Sequence, residues 1–404
     1  MTIFRRLTLV TCMALAVGGA RLSAQAPAEN LRECLNAETY DPETDYFPDK
    51  ATLDFAQGLQ IEYHNHYKVL RVANPWQGAS PADAREYVLV HCGAPIPEGF
   101  DSAQIIEVPV QSMISMSTTY LPPIVQLGLL DYLIGVDTVD FVNTPEVLAK
   151  AEAGALVLIG NGSTVNAELA LEADPDVIFT FGNGVAEWDS HPKLEEVGLF
   201  VALNADWTEP TLLGRAEWMK FIAAFYNREA EAQALFGQIV AEYEAVRELA
   251  NSIPAEERLT VLWNAFSPYS ESWSIPGQRT WVGELLADAG LNYVLQSQAP
   301  GDTSLQLAFE AVYEAGLDAP LWVVNAFGVM TQADLLALDE RYADFSAFQN
   351  GAVWNNAARV NANGGNDFFE TGVTNPHLVL KDLVSIAYPE LLPDYEPIFH
   401  NQLD

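Results

Sequence analysis

Apolar residues recur along this chain with two different periods, and the switch between them marks out its architecture. From Leu212 to Asn251 there is no proline and a helical spacing persists, with Trp218, Phe221, Ile222 and Phe225 at i, i+3, i+4 and i+7. After Asn227 a second stripe runs through Ala232, Leu235, Phe236, Ile239, Tyr243 and Val246. Two successive helices are predicted, the second from about Glu229 to Asn251 and, at about 1.5 Å per residue, roughly 35 Å long. Pro254 ends it. Elsewhere short strand-like runs alternate with helical segments: Tyr87 to His91, Ile105 to Val110, Val177 to Phe181, Phe200 to Leu203, Leu259 to Phe266 and Leu321 to Phe327. Several are apolar almost throughout, as in Val177-Ile178-Phe179, which suits parallel strands covered on both faces. The class predicted is α/β, with one unit before the long helix, one after it, and the helix as linker. Both aromatic stripes read as core.

Composition narrows the function. The chain of 404 residues carries 19 Lys and Arg against 55 Asp and Glu, a formal charge of −36. Such a surface repels phosphate backbones and anionic headgroups, which excludes nucleic acid and electrostatic docking to a membrane as partners. Arg5-Arg6 precedes an apolar run from Leu7 to Gly18 and small residues at Ala20, Ala24 and Ala26, the pattern of a cleavable secretory signal. The mature protein is therefore expected in the periplasm, without Cys12. A lipid anchor on Cys12 is the lesser reading, because Thr11 stands where a small residue is usual. The two remaining cysteines, Cys34 and Cys92, are expected to pair in an oxidising compartment, the alternative being two unrelated buried thiols. No later segment is long enough to span a bilayer, and no internal repeat is present.

The order of elements resembles that of the periplasmic substrate-binding proteins of ABC importers for iron-siderophore, haem and cobalamin uptake. The resemblance extends over roughly Ile105 to Leu392. Ile105-Ile106-Glu107-Val108 looks like the family's opening strand, followed by the turn Ser115-Met116-Ser117-Thr118-Thr119, then Leu127-Gly128 and Leu133-Ile134-Gly135-Val136. Asn166-Ala167-Glu168 with Asp174-Pro175-Asp176-Val177-Ile178-Phe179 is similar to the family's acidic helix and following strand, and Phe309-Glu310 with Asp318-Ala319-Pro320-Leu321-Trp322 mirrors it in the second half. Trp281 to Leu295 resembles the family's helix end. Two features depart from the pattern: a long arm before Ile105, and Gln111 to Ile114 lengthening the first turn. The resemblance implies two Rossmann-like lobes joined by a single backbone helix, with a ligand cleft between them. It implies this division: 1–26 signal, 27–104 arm and first part of the N-lobe, 105–227 N-lobe, 228–253 backbone helix, 254–404 C-lobe. It also implies a monomer that catalyses nothing, has no cofactor of its own, and carries an iron-siderophore, haem or corrinoid-like ligand to an inner-membrane permease.

In α/β proteins ligands sit at the carboxyl ends of the strands, so residues following strands are the candidates. From the first half these are Ser115, Ser117, Thr118, Asn161 and Asn183, on turns whose hydroxyls, amides and glycines can meet a ligand oxygen. In the second half Trp263, Phe266, Tyr269, Trp273 and Trp281 crowd together. Trp263 and Phe266 read as strand core, while Tyr269, Trp273 and Trp281 suit stacking on a bulky ligand, with Arg279 for a carboxylate. Asn325, Phe327, Asn366, Phe368 and Phe369 complete the set, the last three on a stretch that looks like the family's final cleft loop. With few arginines nearby, a neutral or cationic ligand is easier to hold than a polyanion.

The resemblance also implies that Glu168 and Glu310, one acid per lobe, dock onto arginines of the permease. Against it stands a metal reading: His64 and His66, at i and i+2 on one strand face, could share a metal ion in a free-metal binder or an exported metallohydrolase. No third ligand is evident, and the chain holds no nucleophile elbow, phosphate loop or zinc-helix motif.

Overall fold

The computed structural model describes residues 27–404 except 37, 39, 102, 103, 163, 268 and 269. The signal segment with Cys12, and Tyr269, lie outside the described residues.

The first described elements form a four-stranded sheet. Leu59–Tyr63, Tyr67–Val72 and Arg85–His91 run antiparallel in sequence order, and Ile105–Val108 adds parallel to Arg85–His91. Its inner residues Leu70, Val72, Tyr87 and Leu89 share one core with Val177, Phe179, Phe221 and Phe225 of the first lobe. The segment expected as an arm is thus a folded layer on that lobe. Cys34 and Cys92 are joined by a disulfide, their Cα atoms 4.7 Å apart.

The first lobe is built on a five-stranded parallel sheet in the order Val157–Leu158, Leu133–Val136, Met113–Ser115, Val177–Thr180, Val201–Leu203. Counted along the chain this is the doubly wound order 3-2-1-4-5, whose switch point lies between the Met113–Ser115 and Val177–Thr180 strands. Here the expectation needs correction: the lobe's opening strand is Met113–Ser115, and Ile105–Val108 belongs to the preceding sheet. Pro109, lacking an N–H, cannot continue the earlier ladder. Asp176 then accepts from the backbone N–H groups of Gln111 (2.6 Å) and Ser112 (2.9 Å), seating Met113 beside Val177. The supposed lengthening of the first turn is therefore a strand, too short to show a period.

The second lobe has the sheet order Asn292–Tyr293, Thr260–Trp263, Leu321–Val324, Val353–Asn355, Asn401–Gln402, parallel except for the last strand. Between them the Glu229–Asn251 helix buries Ala232 in the first core and Phe236, Ile239, Tyr243 and Val246 in the second. The stripe before it forms two short helices, Leu212–Glu217 and Met219–Ala224, rather than one. No described helix is long and apolar enough to cross a membrane.

Candidate functional site

Both sheets aim their carboxyl ends at the space between the lobes. A cavity of about 630 Å³ lies there, with Thr118 and Phe141 from the first lobe on one wall. The other wall comes from the loops after Leu321–Val324 and Val353–Asn355: Asn325, Phe327, Met330, Asn356, Val360, and the run Asn361 to Asn366, then Phe369. Among the described residues, none of those lining it is charged. Its walls alternate rings with amides. Phe327 is 86% exposed, and Phe141, Met330, Val360 and Phe369 are also exposed apolar side chains. Large rings left in water without a partner mark a surface built to be covered.

The loop carrying the amides is held in place. Asn355 Nδ2 donates to the Ala326 (2.9 Å) and Val329 (2.7 Å) carbonyls, and Asn366 Nδ2 to the Asn356 carbonyl (2.9 Å). Asn356 Nδ2 donates to Asn325 Oδ1 at 3.2 Å. Gly364 has φ +91°, and Gly365 lies where a Cβ would stand 2.3 Å from the Phe141 carbonyl oxygen, so this turn closes on the opposite lobe only as glycine. Asn361 Nδ2 bridges the lobes directly, donating to the Asp140 (3.0 Å) and Val142 (3.1 Å) carbonyls. Nearby, the buried Glu370 of the second lobe accepts from the backbone N–H groups of Asn143 (2.8 Å) and Thr144 (2.7 Å) at the start of the first lobe's Pro145–Glu152 helix.

A smaller cavity of about 220 Å³ continues along the first lobe's strand ends, lined by Ser117, Thr119, Phe181, Asn183, Asp206 and Trp207. The Asn183 loop is fixed by Asp189, which accepts from the N–H groups of Asn183 (2.6 Å) and Gly184 (3.1 Å). Trp76, from the N-terminal layer, packs against Gly182 and Gly184 and stacks on His191 at 6.2 Å. Trp188, 74% exposed, stands beside Phe181 on the same rim.

Of the residues expected from sequence, Thr118, Asn325, Phe327, Asn366 and Phe369 line the main cavity and Ser117 and Asn183 the smaller one. Others are elsewhere. Ser115 is buried and donates to the Ser117 carbonyl at 2.9 Å, so it shapes the turn from beneath. Asn161 lies at the lobe's edge, accepting from Thr164. Trp273 is wholly buried, its Nε1 bonded to the Trp263 carbonyl (2.9 Å) and its ring among Phe309, Trp322, Tyr342 and Phe345. Phe368 is likewise core, against Phe399. Arg279 is exposed and donates to the Pro300 carbonyl (3.0 Å), and Trp281 packs behind the cavity against Phe368. Sequence reasoning missed Phe141, Met330, Asn356, Val360, Asn361 and Asn363. The Asn and Gly density from 361 to 366, in the loop that follows the Val353–Asn355 strand, was the available signal.

His64 and His66 flank a hairpin turn instead of sharing a strand face. His64 faces Glu62 at 3.2 Å and His66 meets the Tyr40 hydroxyl at 3.1 Å. Among the described residues no group of three or more His, Cys, Asp and Glu could hold a metal ion. Glu168 and Glu310 occupy equivalent places, exposed in the first turn of the Ala167–Ala173 and Phe309–Gly316 helices, with Glu310 3.2 Å from Arg341.

Residues 114–356, which hold both sheets' central strands and about half of the cavity wall, match the family described as periplasmic binding protein. The chain belongs to that family. This binding protein is similar to an uncharacterised lipoprotein of Methanocaldococcus jannaschii, 24% identical over 362 residues covering 84% of this chain and 82% of the relative. Its fold is that of a periplasmic haem-binding protein from Pseudomonas aeruginosa (TM-score 0.53, 18% identity, 73% of this chain and 98% of that one). It is also that of Helicobacter pylori CeuE with Ni(II) bound (TM-score 0.52, 14% identity, 72% and 88%). Binding proteins of this type take a small ligand outside the cytoplasm and hand it to an ABC permease.

Proposed function

We propose that this binding protein captures an uncharged, bulky ligand with flat apolar faces and amide or hydroxyl edges, a neutral metal chelate or a corrinoid, and delivers it to an ABC importer. The observation that carries the reading is the cavity between the lobes: exposed rings, five asparagines and no charged lining residue. Rings supply stacking area. Asparagine amides both donate and accept, so they pair with amide, hydroxamate or hydroxyl edges. A dianionic haem or a polyanionic chelate would lose hydration there without gaining a cation, which costs several kcal/mol per unpaired charge, on the order of a thousandfold in affinity.

The test is equilibrium binding of three probes to the purified protein: a neutral ferric tris-hydroxamate, a corrinoid and haem. One neutral probe should bind at micromolar concentration or better, and haem at least about tenfold more weakly. Haem binding tightest would overturn the charge argument. Phe327→Ala should weaken the bound probe by about ten- to a hundredfold, the worth of one buried ring. The protein is further proposed to act from the periplasm or the outer face of the cytoplasmic membrane. A membrane-attached form is supported by the relative called a lipoprotein.

A further inference from the structure

Arg215, on the Leu212–Glu217 helix, is a cation without a hydrogen-bonding partner among the described residues. Its Nε is enclosed with no acceptor, while its two terminal nitrogens are not enclosed and donate to no side chain or carbonyl. A guanidinium offers five N–H donors and no acceptor, so only an oxygen-bearing group can satisfy it. Its neighbours are suited to that. The Trp281 ring lies 5.6 Å from the guanidinium carbon. Trp207, which lines the smaller cavity, has its donor-only indole Nε1 enclosed with no acceptor as well. Asp206 is the nearby charge, but it forms no ion pair with Arg215, and the backbone N–H groups of its own turn occupy its carboxylate. Burial dominates both groups, holding Arg215 below its ordinary value and pushing Asp206 up to about 6.

The place of Arg215 in the fold gives this meaning. Its helix packs on the Asp206–Thr208 turn of the first lobe and on the Thr371–Thr374 helix of the second, which follows the cleft loop. Trp281 in turn packs on Phe368, next to the cavity-lining Phe369. Arg215 thus stands on a helix packed against the turn whose Asp206 and Trp207 line the smaller cavity.

We propose that Arg215 is an anion subsite: a single carboxylate arm of the ligand passes beside Trp207 and pairs with the guanidinium while the neutral body stays between the rings. This rests on the cleft being the ligand site, and it refines the neutral class to one acidic arm. Charge-assisted, bidentate recognition of a carboxylate is what this side chain does best.

The test uses benzoate as the probe, with benzamide as its uncharged isostere, titrated against the full chain and followed by tryptophan fluorescence. Benzoate should give a saturable response at least about tenfold tighter than benzamide. Arg215→Gln should abolish that preference and Arg215→Lys keep part of it. The melting temperature of Arg215→Gln should not fall, because among the described residues no hydrogen bond or ion pair is lost with the guanidinium. A response unsaturable in the wild type, or unchanged in Arg215→Gln, overturns the subsite. So does a lower melting temperature with benzoate binding intact, which would make Arg215 a structural group. Benzoate reports on the subsite alone and the metal-chelate probes on the main cavity, so failure of one is distinguishable from failure of the other.

Discussion

Trp273 and Phe327 show how one chemical class is sorted by neighbours that spacing cannot reveal. Both looked available to a ligand, yet Trp273 lies within a strand, Ser272–Ile275, that pairs antiparallel with Phe266–Ser267 and Leu305–Leu307, and its ring is wholly buried. Phe327 stands on a loop with nothing across from it but the cavity. At the same scale, Asp206 is pushed from its ordinary 3.8 to about 6, chiefly by burial and against the pull of Arg215. The folded state therefore binds its proton more tightly than the unfolded one. Its contribution is fully present below about pH 4 and is lost as pH rises through about 6, a swing of roughly 3 kcal/mol. Asp206→Asn should remove that part of the pH dependence. Urea melts from pH 4 to 7 check it, and parallel wild-type and variant curves would contradict the assignment.

At the scale of elements, the start of the backbone helix is pinned by a buried pair. Lys68 Nζ lies 2.6 Å from Glu229 Oε1 with both side chains wholly buried, and Asn227 Oδ1 accepts from the same ammonium at 2.9 Å. Burial pulls Lys68 below its ordinary value, Glu229 pulling the other way. Lys68→Met should destabilise the fold by about 3–5 kcal/mol, because it strands Glu229 without its cation. Replacing both partners with apolar residues should cost much less, and a double-mutant cycle in urea measures the difference. The long helix itself was readable as Glu229 to Asn251, since a sustained apolar stripe needs no tertiary information. The Met113–Ser115 strand was not, because three residues carry no period and its place is set by Asp176 and Val177.

For the whole molecule, the lobes are bonded as well as linked. Glu370 holds the Asn143 and Thr144 N–H groups just ahead of the Pro145–Glu152 helix from across the cleft, and Gln126 Nε2 donates to Asn375 Oδ1 at 3.1 Å. Glu370→Ala leaves the buried Thr144 N–H and hydroxyl and the half-buried Asn143 N–H without their acceptor, so it should lower stability by about 2–4 kcal/mol and speed hydrogen exchange at Asn143 and Thr144. Unchanged exchange there would mean the lobes are held by other contacts. Handover is the second matter at this scale. The equivalent placing of Glu168 and Glu310 at two helix starts supports their proposed role in permease docking. Glu168→Arg with Glu310→Arg should abolish uptake in cells while leaving ligand affinity within about twofold. Loss of affinity would instead place the acids in ligand binding.

The sequence by itself determined the α/β class, the two-lobed plan and the backbone helix, because each is a local matter of period, punctuation or composition. It also held Cys34 and Cys92 as a candidate pair. The tertiary structure alone decided that the strands between Leu59 and Val108 form a sheet sharing the first lobe's core, that Trp273 and Phe368 are interior, and that Phe141 and Phe327 line the same cavity. It alone left Arg215 without an acceptor among the described residues. These depend on which distant segments meet. Burial and hydrogen-bond satisfaction are properties of the packed surroundings, which no window along the chain contains.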